Sequence, residues 1–487
     1  MRRSPLVALA LLAAGPALAT VHELPFELPL EPAPIVVVID DSQVDVIVEA
    51  GAQPMVRARV APGSAGAPPA LDVGRVGDRV RIAPAIAEAA GESATVILEI
   101  TLDPTQSLLV TGARLSVAVG NPPRPPASPR PPAGRAGGDA EGGEPQAETS
   151  SQRYELTDSE LFTGGAAATS VVARNTVVHV EDGAGDLDVD LNLGSLSVRR
   201  HAGSLRLASI DAESTVEDLE GVVDFTLEGG SLELGSGRGP VQGKSTRGFV
   251  ACNRWTGSVS LTGDDASFEL RDSQVEPLRF TTKSSDVRID GLRGSVFAQL
   301  EGGELAGESL VGPLDVAATA AAGVEVIDHD GPLTVAARDD ASAELSEIGG
   351  LVTANLDRAT MTLTGADNLN LTAKGSRVTA SGLGRLSNCV ATSSELNLDL
   401  SGVDERTLDL RVTDGSTVEV TLRAPCQVQL RESAAASQQV DVTGCEFQLQ
   451  STGRWRGGMR RDAEGRPPFL LTAKVAATGL LRVRGGP

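Results

Sequence analysis

The stretch Gly185-Asp-Leu-Asp-Val-Asp-Leu-Asn-Leu-Gly194-Ser-Leu-Ser-Val-Arg-Arg-His-Ala-Gly203-Ser-Leu-Arg-Leu207 carries two periods at once. Leu187, Val189 and Leu191 alternate with Asp186, Asp188 and Asp190, which is the two-residue period of a half-buried strand. The glycines supply a longer beat of nine residues, which continues through Gly221, Gly230, Gly239, Gly248 and Gly257, with Ala212 at the one missing slot. The spacing then drifts and returns at Gly294, Gly303 and Gly312, and again at Gly331 and Gly350. Most of these glycines open the same phrase, as in Gly257-Ser-Val-Ser-Leu261 and Gly331-Pro-Leu-Thr-Val335.

Each phrase reads as one short strand and one tight turn. Glycine suits the turn because the backbone there needs positive φ or close approach. A single unit cannot bury its apolar face, but stacked units share backbone hydrogen bonds and build a continuous aliphatic interior. The expected fold is therefore all-β, a parallel β-solenoid of the β-helix kind, built from Gly-initiated strands about 9–10 residues apart. Two units, about 18–20 residues, make a flattened two-strand coil, and three make a triangular one. The rival is an antiparallel sandwich, whose strands also recur every ~8–12 residues. A sandwich needs loops of unequal length, whereas this comb stays monotonous across residues 153–452.

Outward from the array the composition changes. Residues 20–120 form an N-terminal β block, with Ile35-Val-Val-Val-Ile39, the alternating Val44, Val46 and Val48, and Val96, Leu98, Ile100 and Leu102. Residues 121–152 hold Pro122, Pro123, Pro125, Pro126, Pro129, Pro131 and Pro132, then Gly, Ala, Asp and Glu, and read as a linker. Residues 453–487 are basic, with Arg454, Arg456, Arg460, Arg461, Arg466, Lys474, Arg482 and Arg484. They are expected to cap the end of the array, with a docking patch for anionic envelope polymers as the other reading. Residues 1–19 have the form of a cleavable export signal: Arg2 and Arg3, an apolar run from Leu6 to Ala14, and Ala17-Leu-Ala19. That run is short of the ~20 residues a membrane span needs.

The chain is 41% hydrophobic but only 2% aromatic, so its core must come from Val, Leu, Ile and Ala. A formal net charge of −23 repels phosphates and anionic lipid, which argues against nucleic-acid and membrane partners. Cys426 and Cys445 stand 19 residues apart, one two-strand coil, so stacked rungs would bring them within disulfide reach. Two buried thiols are the alternative. Cys252 and Cys389 are too far apart along a linear stack to meet and are expected to stay unpaired.

A search for chemistry is mostly negative. Asp186, Asp188 and Asp190 begin like a calcium loop, but Leu191 replaces the glycine and Ser197 the closing glutamate, so a solvated acidic face is the expectation. His22, His179, His201 and His329 have no metal-ligand spacing. Gly235-Ser-Gly-Arg-Gly239 lacks the Lys-Ser/Thr ending of a phosphate loop and reads as a rung turn. Asp264-Asp265 and Asp339-Asp340 fall at turns, where aspartate is common. Trp255, Trp455, Tyr154 and nine Phe are the only aromatics. Phe225, Phe268, Phe280 and Phe297 are expected in the core, which leaves little for stacking on sugars. No catalytic, metal or cofactor residue is assigned.

The strand pair Ile35–Ile39 and Val44–Val48, the Pro-marked turn Ile100-Thr-Leu-Asp-Pro104 and phrases such as Gly194-Ser-Leu-Ser-Val198 resemble a bacterial family of adhesin-like exported β-solenoid domains of unknown function. The likeness covers the N-terminal block and the array. The Pro-rich insertion at Asn121 and the basic tail depart from it. It implies an envelope protein with a binding role and brings no catalytic motif. The expectation is a non-enzymatic exported binding or scaffold protein, periplasmic or extracellular, whose partner is an envelope polymer or protein. The alternatives are a polysaccharide-active β-helix enzyme, a lyase or hydrolase, and a periplasmic sensor or scaffold subunit.

Overall fold

Parallel strands wind into a β-solenoid of about 15 turns at a spacing of about 18 residues, with no helix among the described residues. The computed structural model describes nine strands between residues 21 and 120, and then residues 151–486 apart from 166–167, 404–406, 414, 424–425, 432–439, 444, 451–468 and 477. The export signal, residues 121–150 of the linker, Trp455 and the first part of the basic tail lie outside the described residues. The chain divides into two units, Met1–Ser214 and Thr215–Pro487.

One coil of the second unit shows the plan. Val223–Glu228 forms a long first side, Ser231–Leu234 a second, and Gly237–Arg238 a short third. Each pairs in parallel with the next coil, Val223 with Val241, Ser231 with Phe249 and Gly237 with Trp255. The coil thus has three sides, the last only two residues long. Burial alternates along the strands, with Val223, Phe225 and Leu227 inside and Asp224, Thr226 and Glu228 outside.

The nine-residue comb resolves into two different columns. Gly221, Gly239 and Gly257 stack at the third corner, where a Cβ on Gly239 would stand 1.9 Å from the Gly221 carbonyl oxygen. A side chain on Gly239 would collide with that carbonyl. The intervening teeth form a second column just past the first corner, where glycines such as Gly303, whose Cβ would stand 2.1 Å from the Ser285 carbonyl oxygen, alternate with small residues. It runs Gly230, Gly248, Ala266, Ser285, Gly303, Ala322, Ala341, Ala359, Ser376 and Ser394, and the first unit places Ala212 and Gly194 in the equivalent position. Its serines satisfy local backbone: the Ser285 hydroxyl donates to the Lys283 carbonyl at 2.8 Å and accepts from the Ala266 N–H at 3.1 Å. The missing tooth, Ala212, belongs to this second column, and the drift follows from coils that lengthen to 19 residues, as between Gly312, Gly331 and Gly350, which stack on one another.

The array does not begin after the linker. In the first unit Ile35–Ile39 pairs in parallel with Leu108–Ala113, which pairs in turn with Ser151–Thr157. The N-terminal block therefore supplies rungs of the stack, and the segment 121–150 interrupts consecutive rungs. One rung is out of chain order: Ile35–Ile39 and Val44–Ala50 lie between Arg79–Leu102 and Leu108–Gly120. Antiparallel strands close this end, Met55–Val60 on Val96–Leu102 and Val21–Pro25 on Met55–Val60.

The described part of the basic tail is a rung and not a cap. Phe469–Val475 pairs with Thr407–Val412 on one edge and Cys426–Arg431 on the other. Leu480–Gly486 lies between Thr417–Arg423 and Val440–Thr443. The physical reason is the apolar alternation: Leu471, Ala473, Val475, Leu481 and Val483 are all buried, and pairing both edges satisfies the backbone. Its charges point outward, and Arg482 donates to Glu419 at 2.8 Å.

Candidate ligand-binding groove

The second corner of the coil carries left-handed backbone at Arg254, Asp272, Gly291, Ser309, Asp328 and Glu347, with φ between 48° and 64°. Asp and Ser accept this conformation better than β-branched residues, and glycine accepts it freely. These residues stack rung on rung, as the pairing of Arg271 with Asp290, Asp290 with Glu308 and Glu308 with Ile327 just before them shows. The column is therefore a ridge of long or charged side chains with a notch at Gly291 and Ser309.

That notch is a groove of about 590 Å³. Asp272 and Asp328 stand at its two ends along the column, and Leu310 and Val311 line it as well. On the short third side Gln274, Arg293, Val311 and Asp330 stack in register, so Arg293 and Asp330 flank the same opening. The Ser309 hydroxyl donates to Asp328 Oδ2 at 3.0 Å and holds that carboxylate at the rim. A Cβ on Gly291 would stand 3.0 Å from Asp272 Oδ1, so the glycine lets the other carboxylate lean over the opening. Three carboxylates against one guanidinium give the groove acceptor character and negative potential. It suits a ligand rich in hydroxyl or amino groups.

Asp272 and Asp328 are three rungs apart, roughly 14 Å at the usual strand spacing. Paired glycosidase carboxylates stand ~5–9.5 Å apart, closer than the backbones of these two. Among the described residues no group of three or more His, Cys, Asp or Glu could hold a metal ion.

The residues singled out in the sequence fall elsewhere. Asp188 and Asp190 point outward between buried Leu187, Val189 and Leu191, and the Ser204 hydroxyl donates to Asp186. Asp265, Asp339 and Asp340 occupy left-handed first-corner backbone, where Asp339 pairs with Arg358. Gly235 to Gly239 is the short third side and its corners. His201 and His329 are buried, and burial lowers both below the ordinary imidazole range. His179 instead lies outside, stacked on Phe162. Cys252 and Cys389 are buried thiols. Cys426 and Cys445 are disulfide-bonded between neighbouring rungs, with Cα atoms 4.9 Å apart.

One aromatic expectation needs correction. Phe225, Phe268 and Phe280 are core, but Phe297 is 38% exposed, because it occupies an outward position of its strand, and the Arg279 guanidinium lies 5.0 Å above its ring. The groove residues Gly291, Arg293, Ser309, Asp328 and Asp330 were not legible in advance. Their only sequence signal is a recurrence at coil spacing, visible once the corner that holds them is known. Comparison with family models, curated proteins and solved structures finds no match to this chain.

Proposed function

We propose that this protein is an exported binding scaffold that presents its solenoid to a hydroxyl-rich envelope polymer. The observation that carries the reading is the polar groove of about 590 Å³ cut into the second-corner ridge at Gly291 and Ser309. A stack of paired strands holds the walls of such a groove rigidly, and rigid walls lower the ordering cost of binding. The adhesin-like resemblance and the acidic, signal-bearing sequence agree with a role at the envelope.

The test is size-exclusion chromatography of purified protein with labelled neutral, amino and uronic polysaccharides. Retention of intact polymer, lost in Ser309→Arg, supports the scaffold. Arginine tolerates this corner, as Arg254 shows in the same column. Shortened polymer would replace the scaffold with a polysaccharide-active enzyme. No retention, together with stoichiometric co-purification of a protein, would move the chain to the sensor or scaffold-subunit class.

A further inference from the structure

We infer that the first unit carries a sugar-ring subsite on the second side of its coil, built on the stacked pair Phe162 and His179. This rests on the envelope-polymer reading and assigns it a second contact point.

Phe162 and His179 are register partners on adjacent strands, at outward positions. Their rings stack with centroids 4.7 Å apart and planes 13° from parallel. The step equals the strand spacing of a sheet, ~4.8 Å, so the two rings form the start of a ladder. The next partner in the column is Ser197, paired with His179, and it has no ring to continue the ladder. A cavity of about 190 Å³ opens there, lined by Phe162, His179, Val180, Glu181, Ser197 and Arg199.

The vacancy has a polar rim in fixed register. Glu181 pairs with Arg199 across the same two strands. Arg200 donates to Glu181 and to Asp182, which anchors the carboxylate side of the rim. A ring seated over Ser197 would continue the ladder one step further. A pyranose fits this arrangement: its C–H face lies on the imidazole, and its hydroxyls meet a carboxylate acceptor, a guanidinium donor and a serine hydroxyl. A purely aromatic ligand would stack on the imidazole but would offer no hydroxyls to that rim.

The experiment is NMR of purified full-length protein with ¹³C-labelled histidine, the His179 signal being assigned with His179→Gln. The probes are cellohexaose, chitohexaose and hexagalacturonate. The expected result is a saturable shift of the His179 signal with at least one of them. Ser197→Phe fills the vacancy with the protein's own ring, and it should weaken binding by about tenfold or more, roughly 1.4 kcal/mol, with an unchanged unfolding midpoint. Phe162→Ala, which removes the ring behind His179, should weaken it as well. If the hexasaccharides leave His179 unmoved while Ser309-dependent polymer retention persists, the subsite is wrong and the scaffold stands. If N-acetyltryptophanamide shifts His179 and no saccharide does, the ligand class is wrong. If no saccharide binds anywhere, both readings fail together.

Discussion

Trp255 lies with its ring against Gly237, its register partner one coil earlier: a Cβ on Gly237 would stand 2.1 Å from Cζ3. The indole is fully buried, and its Nε1–H donates to the Gly239 carbonyl at 2.8 Å. The largest described side chain of the second unit is thus accommodated by the smallest, one rung away. Gly237→Ala is expected to lower stability by about 1–3 kcal/mol through overpacking. Adding Trp255→Leu should recover part of the loss, which denaturant midpoints of the two variants would show. Equal midpoints for Gly237→Ala and the natural chain would sink the packing argument.

The buried imidazoles predict a pH dependence. His201 and His329 have pKa values below the ordinary 6.5, chiefly because burial disfavours the charged ring, with neighbouring backbone groups and, more weakly, Asp186 and Asp330 opposing. The folded state therefore binds fewer protons than the unfolded chain between those lowered values and 6.5. The stability of the neutral rings is fully present above pH 6.5 and is lost as pH falls through that window. Denaturant midpoints at pH 7.5 and 5.5 would show it. His329→Leu should flatten the trend, because its rung neighbours Leu310 and Ile348 already show that leucine-sized groups fit the column.

Reduction of Cys426–Cys445 should destabilise the C-terminal rungs. The bridge spans 19 residues, a loop for which constraint of the unfolded chain contributes roughly 3 kcal/mol. Calorimetry with and without reductant measures this, and an identical midpoint in both would count against the bridge.

Cys252 and Cys389 should behave in the opposite way. Both are buried in the core, and burial pushes each thiol up to about 12. A small aromatic disulfide reagent should leave both unmodified in the folded protein and react with both in denaturant. Rapid labelling under native conditions would place one of them at the surface.

Deletion of residues 469–487 removes a rung whose two long strands are paired on both edges. The loss exposes the edges of Thr407–Val412 and Cys426–Arg431 together with the side chains that Leu471, Val475 and Leu481 cover. The truncated chain is expected to aggregate or to lose its cooperative transition. A soluble truncation with the natural unfolding midpoint would show the tail to be dispensable.

The sequence by itself determined the strand period, the parallel stacking and the aliphatic core. These follow from local terms: alternation of Leu and Val with Asp and Ser, and glycine where a backbone must turn or approach closely, as at Gly239 and Gly257. It also placed Cys426 and Cys445 one coil apart. Only the tertiary structure decided that the comb is two columns, because teeth that share a column lie a full coil apart, Gly239 against the Gly221 carbonyl in one and Gly303 against the Ser285 carbonyl in the other. It also decided that the tail enters the stack between Thr407–Val412 and Cys426–Arg431, since register among similar apolar strands is settled by which edges remain to be paired. The groove and the Phe162–His179 shelf belong to the same class. Each joins residues a full coil or more apart, and their meeting depends on the exact length of every intervening turn.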